Sequence, residues 1–190
     1  MKVRLENVRI AFPAIFKAQA IGDGEPRFNA RFIIPKKHPC VALLDAAIEA
    51  AAKEKWKDKA PAILAKITKD GNVCFIKGDY LDKNGEPYDG FAGTYSLGAA
   101  AKAKPLVIDR NKSPLNENDG RPYAGCYVVA QVDIWAQDNA FGRRVNATLM
   151  GVQFYADGDA FTGGRPADPD DFEDLADTGG ADAELEDLTA

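Results

Sequence analysis

Cys126-Tyr127-Val128-Val129-Ala130-Gln131-Val132-Asp133-Ile134-Trp135-Ala136-Gln137 is the stretch on which the reading of the fold turns. Val128, Ala130, Val132 and Ile134 recur at every second position, the period of a strand that buries one face. Tyr127, Gln131, Asp133 and Trp135 fall on the other face, which places two large aromatics on a polar surface. The strand that follows repeats the alternation, with Val145, Ala147 and Leu149 opposite Arg144, Asn146 and Thr148, and Gly151 marks a bulge. Aromatics on the wet side of a sheet admit two readings. They form a platform for base stacking, worth about 1–3 kcal/mol per base, or they are core residues beneath a helix or loop covering that face. The sequence leaves both open.

Outward from this pair, short strands separated by Gly, Pro, Asn and Asp predict an all-β sandwich or barrel. Lys2–Phe12 carries Val3 and Leu5 in one phase and Val8, Ile10 and Phe12 in the other, so a bulge is expected near Asn7. Phe28, Ala30, Phe32 and Ile34 point inward and Arg31 outward, until Pro35 ends the strand. Further strands are expected at Val73–Tyr80, which leads through an Asn84-Gly85 turn to Tyr88, and at Phe91–Ala101, Pro105–Asp109 and Arg143–Tyr155. The period changes between Val41 and Trp56. Leu44, Ile48, Ala52 and Trp56 stand at helical spacing behind Pro39, and Pro61 opens a shorter helix, Ala62–Thr68, that stops at Asp70-Gly71. About seven strands and two helices result, the helices plugging one end of a barrel or packing across it.

The 190 residues suffice for one domain of ordinary size. The net charge of −5 hides two unlike regions. From Asp157 to Ala190 there are twelve acids and one base, Arg165, for a net of −11, while the preceding 156 residues hold 23 bases and 17 acids, a net of +6. A Gly-, Asp- and Ala-rich segment this acidic cannot bury enough apolar surface to offset its ordering entropy, so a disordered tail is expected over 158–190 behind a folded domain at 1–157. A basic body with an acidic tail fits a nucleic-acid binder whose tail competes for the groove or recruits partners, and also a protein that uses the tail for solubility.

Several chemistries lack their parts. There is one histidine, His38, and two serines, Ser96 and Ser113, neither in a Gly-x-Ser-x-Gly setting, so a hydrolase triad is not expected. No phosphate loop or dinucleotide fingerprint occurs, and no cofactor is expected. Cys40, Cys74 and Cys126 are too widely spaced for zinc and read as free, structural thiols. Asp157-Gly158-Asp159 lacks the distal glutamate of a calcium loop, and no metal is expected. No acid stands two residues before a lysine, so the acid-x-lysine element of a common nuclease core is missing. The longest uncharged stretches fall short of the roughly 20 apolar residues of a membrane span, and Met1-Lys2-Val3-Arg4-Leu5-Glu6 is charged where a signal peptide needs an apolar run. A cytoplasmic protein without a membrane partner is expected.

Three segments together resemble a family of phage-encoded single-stranded DNA-binding proteins: Phe28-Asn29-Ala30-Arg31-Phe32-Ile33-Ile34-Pro35-Lys36, Tyr123-Ala124-Gly125-Cys126-Tyr127-Val128 and Gly151-Val152-Gln153-Phe154. The likeness runs from about Lys2 to Gly164. It implies a mainly β, OB-fold barrel, a non-enzymatic role in phage DNA replication or recombination in the bacterial host cytoplasm, and an acidic C-terminal tail. Tails of related replication proteins often finish on an aromatic, whereas this sequence ends Leu188-Thr189-Ala190.

The resemblance supplies no map of the DNA groove, so candidate residues come from strand phase and charge. Tyr95, Tyr127 and Trp135 are the expected stacking residues, and Lys102, Lys104, Arg110, Lys112, Arg143 and Arg144 the expected phosphate contacts. Asp170, Asp171, Phe172, Glu173, Asp174, Glu184, Glu186 and Asp187 are the expected regulatory residues of the tail. The expected partner is single-stranded DNA bound without sequence preference, with replication or recombination proteins reached through the tail and self-association left open. The rivals are a phage structural or assembly protein and a nuclease or annealing protein.

Overall fold

The computed structural model describes residues 1–20 and 24–161. The eight acidic-tail residues singled out above, and all of the tail expected to be disordered over 158–190 except 158–161, lie outside the described residues.

Seven strands and two α-helices build the body. The strands are β1 (Lys2–Gln19), β2 (Arg27–Ile34), β3 (Phe75–Ile76), β4 (Tyr95–Ala101), β5 (Leu106–Ile108), β6 (Tyr127–Asn139) and β7 (Gly142–Ala156). They form one sheet in the order β3-β4-β2-β1-β6-β7-β5, and a parallel contact between Ala100 of β4 and Thr148 of β7 closes β4, β2, β1, β6 and β7 into a five-stranded barrel. This is the strand order of an OB-fold, with the helices inserted between the second and third barrel strands.

The inward alternation read from the sequence holds except at Phe28, which is half-buried and outside the core. Val128, Ala130, Val132 and Ile134 of β6 are fully buried, as are Phe32 and Ile34 of β2, and Val145, Ala147 and Leu149 of β7 join them in one core. The β1 register shifts between Leu5 and Val8, around Asn7 at φ +51°. That bulge returns Val8 and Ile10 to the same core as Val3 and Leu5, so both phases face inward. A second shift follows Ala11, and Phe12 leaves the phase of Ile10 for solvent. On β7 the register skips Met150, beside the expected bulge at Gly151.

Helix α1 (Cys40–Trp56) buries Leu44, Ile48, Ala52 and Trp56 in the barrel core, which places it across one end of the barrel. A single 3-10 turn at Lys57–Lys59 connects it to α2 (Ala60–Lys69), which carries Pro61 in its first turn. Gly71 at φ +72° follows.

Three strands are shorter than expected, β5 keeping only Leu106–Ile108 of Pro105–Asp109. β3 is only Phe75–Ile76, because Asn72–Cys74 bonds elsewhere: Cys74 N–H donates to Val145 O at 2.9 Å, Val145 N–H to Asn72 O at 3.0 Å and Gly98 N–H to Cys74 O at 2.9 Å. β4 begins at Tyr95, not Phe91, because Gly90 and Gly93 at φ +80° and +70° turn the chain. The Asn84-Gly85 turn forms as expected, flanked by a bridge from Leu81 to Pro87.

Asp157–Phe161, where the sequence turns acidic, lies against the body. Tyr123 Oη donates to Asp157 Oδ1 at 2.9 Å, Arg9 Nη2 donates to Asp159 O at 2.6 Å, and the Arg9 guanidinium sits 4.4 Å from the Phe161 ring centre. Gly125, at φ +105°, permits this approach, since a Cβ there would collide with the Asp159 carbonyl.

Candidate nucleic-acid interface

An open groove of about 860 Å³ crosses the outer face of β2 and β4 and reaches the β6–β7 hairpin. Its floor is made by small side chains. Gly98, Ala99, Ala100 and Ala101 line it, and the pairing of Arg31 with Gly98 lets the arginine lie across the glycine, where a Cβ would stand 2.9 Å from Nη2. The Arg31 Nη1 donates to Ser96 Oγ at 3.0 Å, and Cζ lies 3.8 Å from the Tyr80 ring centre. Ser96 is the buried polar residue of the described chain and Arg31 is its partner. Burial lowers the guanidinium pKa from its ordinary value. Arg31 nevertheless remains charged, because guanidinium ionises far above neutrality.

Four cationic side chains line this trough, Arg27, Arg31, Lys102 and Arg144, and none of its described lining residues is an Asp or Glu. Aromatics stand at both ends. Phe12 and Tyr80 lie at one, and Trp135 and Phe141 at the other, with Phe141, on the turn between β6 and β7, 86% exposed. Asn29, Asn72, Gln137, Asn139 and Asn146 add amide groups that both donate and accept hydrogen bonds. Cations, exposed rings and amides along one concave surface can hold a polyanion by its phosphates and take its bases on aromatic faces.

The groove gathers three of the nine expected residues. Trp135 is 43% exposed, with Nε1 donating to Thr148 Oγ1 at 3.0 Å. Lys102 stands at the rim, 2.8 Å from Glu25 Oε2, and Arg144 lines the wall. Tyr127 is eight residues from Trp135 along the same strand, about 26 Å at strand rise. It lies half-buried beside Arg9 and Gly158. Tyr95 packs on the core, edge-on to Phe75 at 5.8 Å. Arg143 is paired with Asp138 at 3.1 Å, whose Oδ2 also accepts from Trp56 Nε1 at 2.9 Å. Lys104 follows β4, outside the groove lining. Arg110 and Lys112 occupy the turn after β5, where Gln153 Nε2 donates to the carbonyls of Asp109 and Arg110, each at 3.2 Å.

Sequence reasoning missed Arg27, Phe12, Tyr80 and Phe141, and it placed Arg31 outward without a role. The available signal was Gly98 inside a strand, which marks a place where another group approaches the backbone closely.

A closed barrel in this strand order, with an open cationic and aromatic groove on the face of its second and third strands, defines the OB-fold class. The chain belongs to the Enterobacter phage Enc34 ssDNA-binding protein family, whose model matches residues 1–184. A protein designated p50 from Acyrthosiphon pisum secondary endosymbiont phage 1 is 45% identical over 180 residues, 93% of this chain and 95% of that one. The single-stranded DNA-binding protein of bacteriophage Enc34, solved in complex with ssDNA, superposes with a TM-score of 0.70 at 24% identity, over 84% of this chain and 89% of that one. Bacteriophage T7 gp2.5, a single-stranded DNA-binding protein, shares the fold with a TM-score of 0.55 at 12% identity, over 88% of this chain and 98% of that one. Among the described residues, no helix is long and apolar enough to cross a membrane, and no three metal-ligating side chains cluster.

Proposed function

We propose that this protein binds single-stranded DNA in the groove over β2 and β4, without sequence preference, during phage DNA replication or recombination. The observation that carries the reading is the groove lining: Arg27, Arg31, Lys102 and Arg144 with exposed Trp135 and Phe141, and no carboxylate among the described lining residues. Phosphates pair with the cations, and bases stack on the rings, which accept any base because each has a π-face. Family membership supports the same conclusion. The role is binding rather than catalysis, exercised in the host cytoplasm. The tail competes with DNA for the cations or recruits replication partners.

Fluorescence-anisotropy titration of labelled oligo-dT at two salt concentrations tests the reading. Affinity is expected to fall with a log-log slope of about −0.7 per phosphate neutralised. Arg144→Ala, at an exposed position, should flatten that slope by about one phosphate's worth while leaving the melting temperature unchanged. Salt-independent binding, or no binding, would overturn it.

A further inference from the structure

Phe12 stands at φ +50° within β1, a left-handed backbone that bulky side chains rarely adopt. Such strain persists where the surroundings enforce it, and it gathers at functional positions. Here it turns a large ring outward, 49% exposed, at the point where the β1 register shifts.

Three further rings surround it. Phe91 stacks on Phe12 at 6.0 Å and 16°, Tyr88 meets it edge-on at 5.1 Å, and Tyr80 stacks on Tyr88 at 5.4 Å and 22°. Phe91, 1% exposed, and half-buried Tyr80 pin the hairpin around Asn84-Gly85 to the barrel. Pinning does not account for Phe12 or for Tyr88, which is 38% exposed, and Leu81 beside them is 49% exposed.

This aromatic shelf is continuous with the groove. Phe12 and Tyr80 line both, and Arg31 spans the junction, bonded to buried Ser96 of β4 and lying over the Tyr80 ring. We propose that the shelf is a second stacking subsite, at which at least one base of a single strand leaving the groove past Arg31 packs against Phe12 and Tyr88. The inference rests on the single-stranded DNA reading above. Continuity with a cationic groove favours a nucleic-acid strand over a protein partner, which would have no need of the shared arginine.

Full-length protein is titrated with oligo-dT from about four to about sixteen nucleotides, the span of site sizes for such barrels. Wild-type affinity should keep rising after the groove is filled. Tyr88→Ala, and Tyr88→Leu, which keeps bulk but removes the ring, lie outside the groove lining and should match wild type on the shortest oligonucleotide that binds and lose about fivefold or more on the longest. Equal binding by variants and wild type at every length would overturn the subsite, and so would a loss of the same size at every length. Failure of the wild type to bind any length would sink the groove reading itself. Photocrosslinking of wild type with 5-iodo-deoxyuridine placed at successive positions needs no variant to fold. It should label Tyr88 from one end of the longer strands, and crosslinks confined to the groove lining would overturn the proposal.

Discussion

Trp135 donates from its indole nitrogen to the hydroxyl of Thr148, 3.0 Å away on the neighbouring strand. Residue 148 lies directly opposite Asp133 and so is the diagonal neighbour of Trp135 in the β6–β7 register. The bond fixes the polar edge of the ring, so the indole is already ordered before a ligand arrives and less entropy is lost on stacking.

Trp135→Ala should therefore reduce oligo-dT affinity by about fivefold to a hundredfold, the range for losing one stacked base. Its melting temperature should change little, because the indole is 43% exposed. Thr148→Val keeps the ring but frees it, and a smaller loss is expected. Anisotropy titration beside thermal melting separates the two effects.

Lys102 enters the groove already paired. Its ammonium hydrogen-bonds Glu25 at 2.8 Å and holds that carboxyl below its ordinary pKa. A phosphate at the rim must displace this carboxylate. Glu25→Gln is expected to tighten binding by up to about fivefold, in keeping with the modest strength of exposed ion pairs. Adding Lys102→Ala should erase the gain; a gain that survives would mean Glu25 acts on other groups.

The segment from Asp157 to Ala190 carries a net charge of −11. If it competes with phosphates, deleting residues 165–190 should raise oligo-dT affinity at low salt, and added salt should shrink the difference by screening. Equal affinities at low salt would leave partner recruitment or solubility as the tail's role.

Burial pushes the thiols of Cys40 and Cys126 up to about 11 and that of Cys74 up to about 12, from an ordinary 9.0. Below pH 9 both folded and unfolded chains keep these protons. Above it the unfolded chain releases them first, so stability should fall progressively between pH 9 and the folded values. Melting temperatures from pH 8 to pH 11 should show this decline, and Cys74→Ser should make it shallower.

Strand phase made much of the barrel legible. Val128 to Ile134 and Val145 to Leu149 could face inward only one way, and helical spacing at Leu44, Ile48, Ala52 and Trp56 placed α1. Which strands would become neighbours was not legible, because pairing depends on contacts distant in sequence. Arg31 and Gly98 are 67 positions apart in the numbering, yet their register creates the groove floor. Strand phase also puts Tyr127 and Trp135 on one face, although eight residues of β6 separate them. Strand phase groups Phe12 with Ile10 because a left-handed backbone leaves no trace in hydropathy.

The pairing of Asn72–Cys74 with Val145 on one side and Gly98 on the other has a mechanical meaning. These residues leave α2 directly and stitch the seam between β4 and β7, immediately beneath the groove. The 30 residues from Cys40 to Lys69 are thus anchored at their exit to the floor on which a ligand would lie. Shortening that insertion is expected to unpick the seam and slacken the groove; the helices act as a strut for a surface that none of their residues lines.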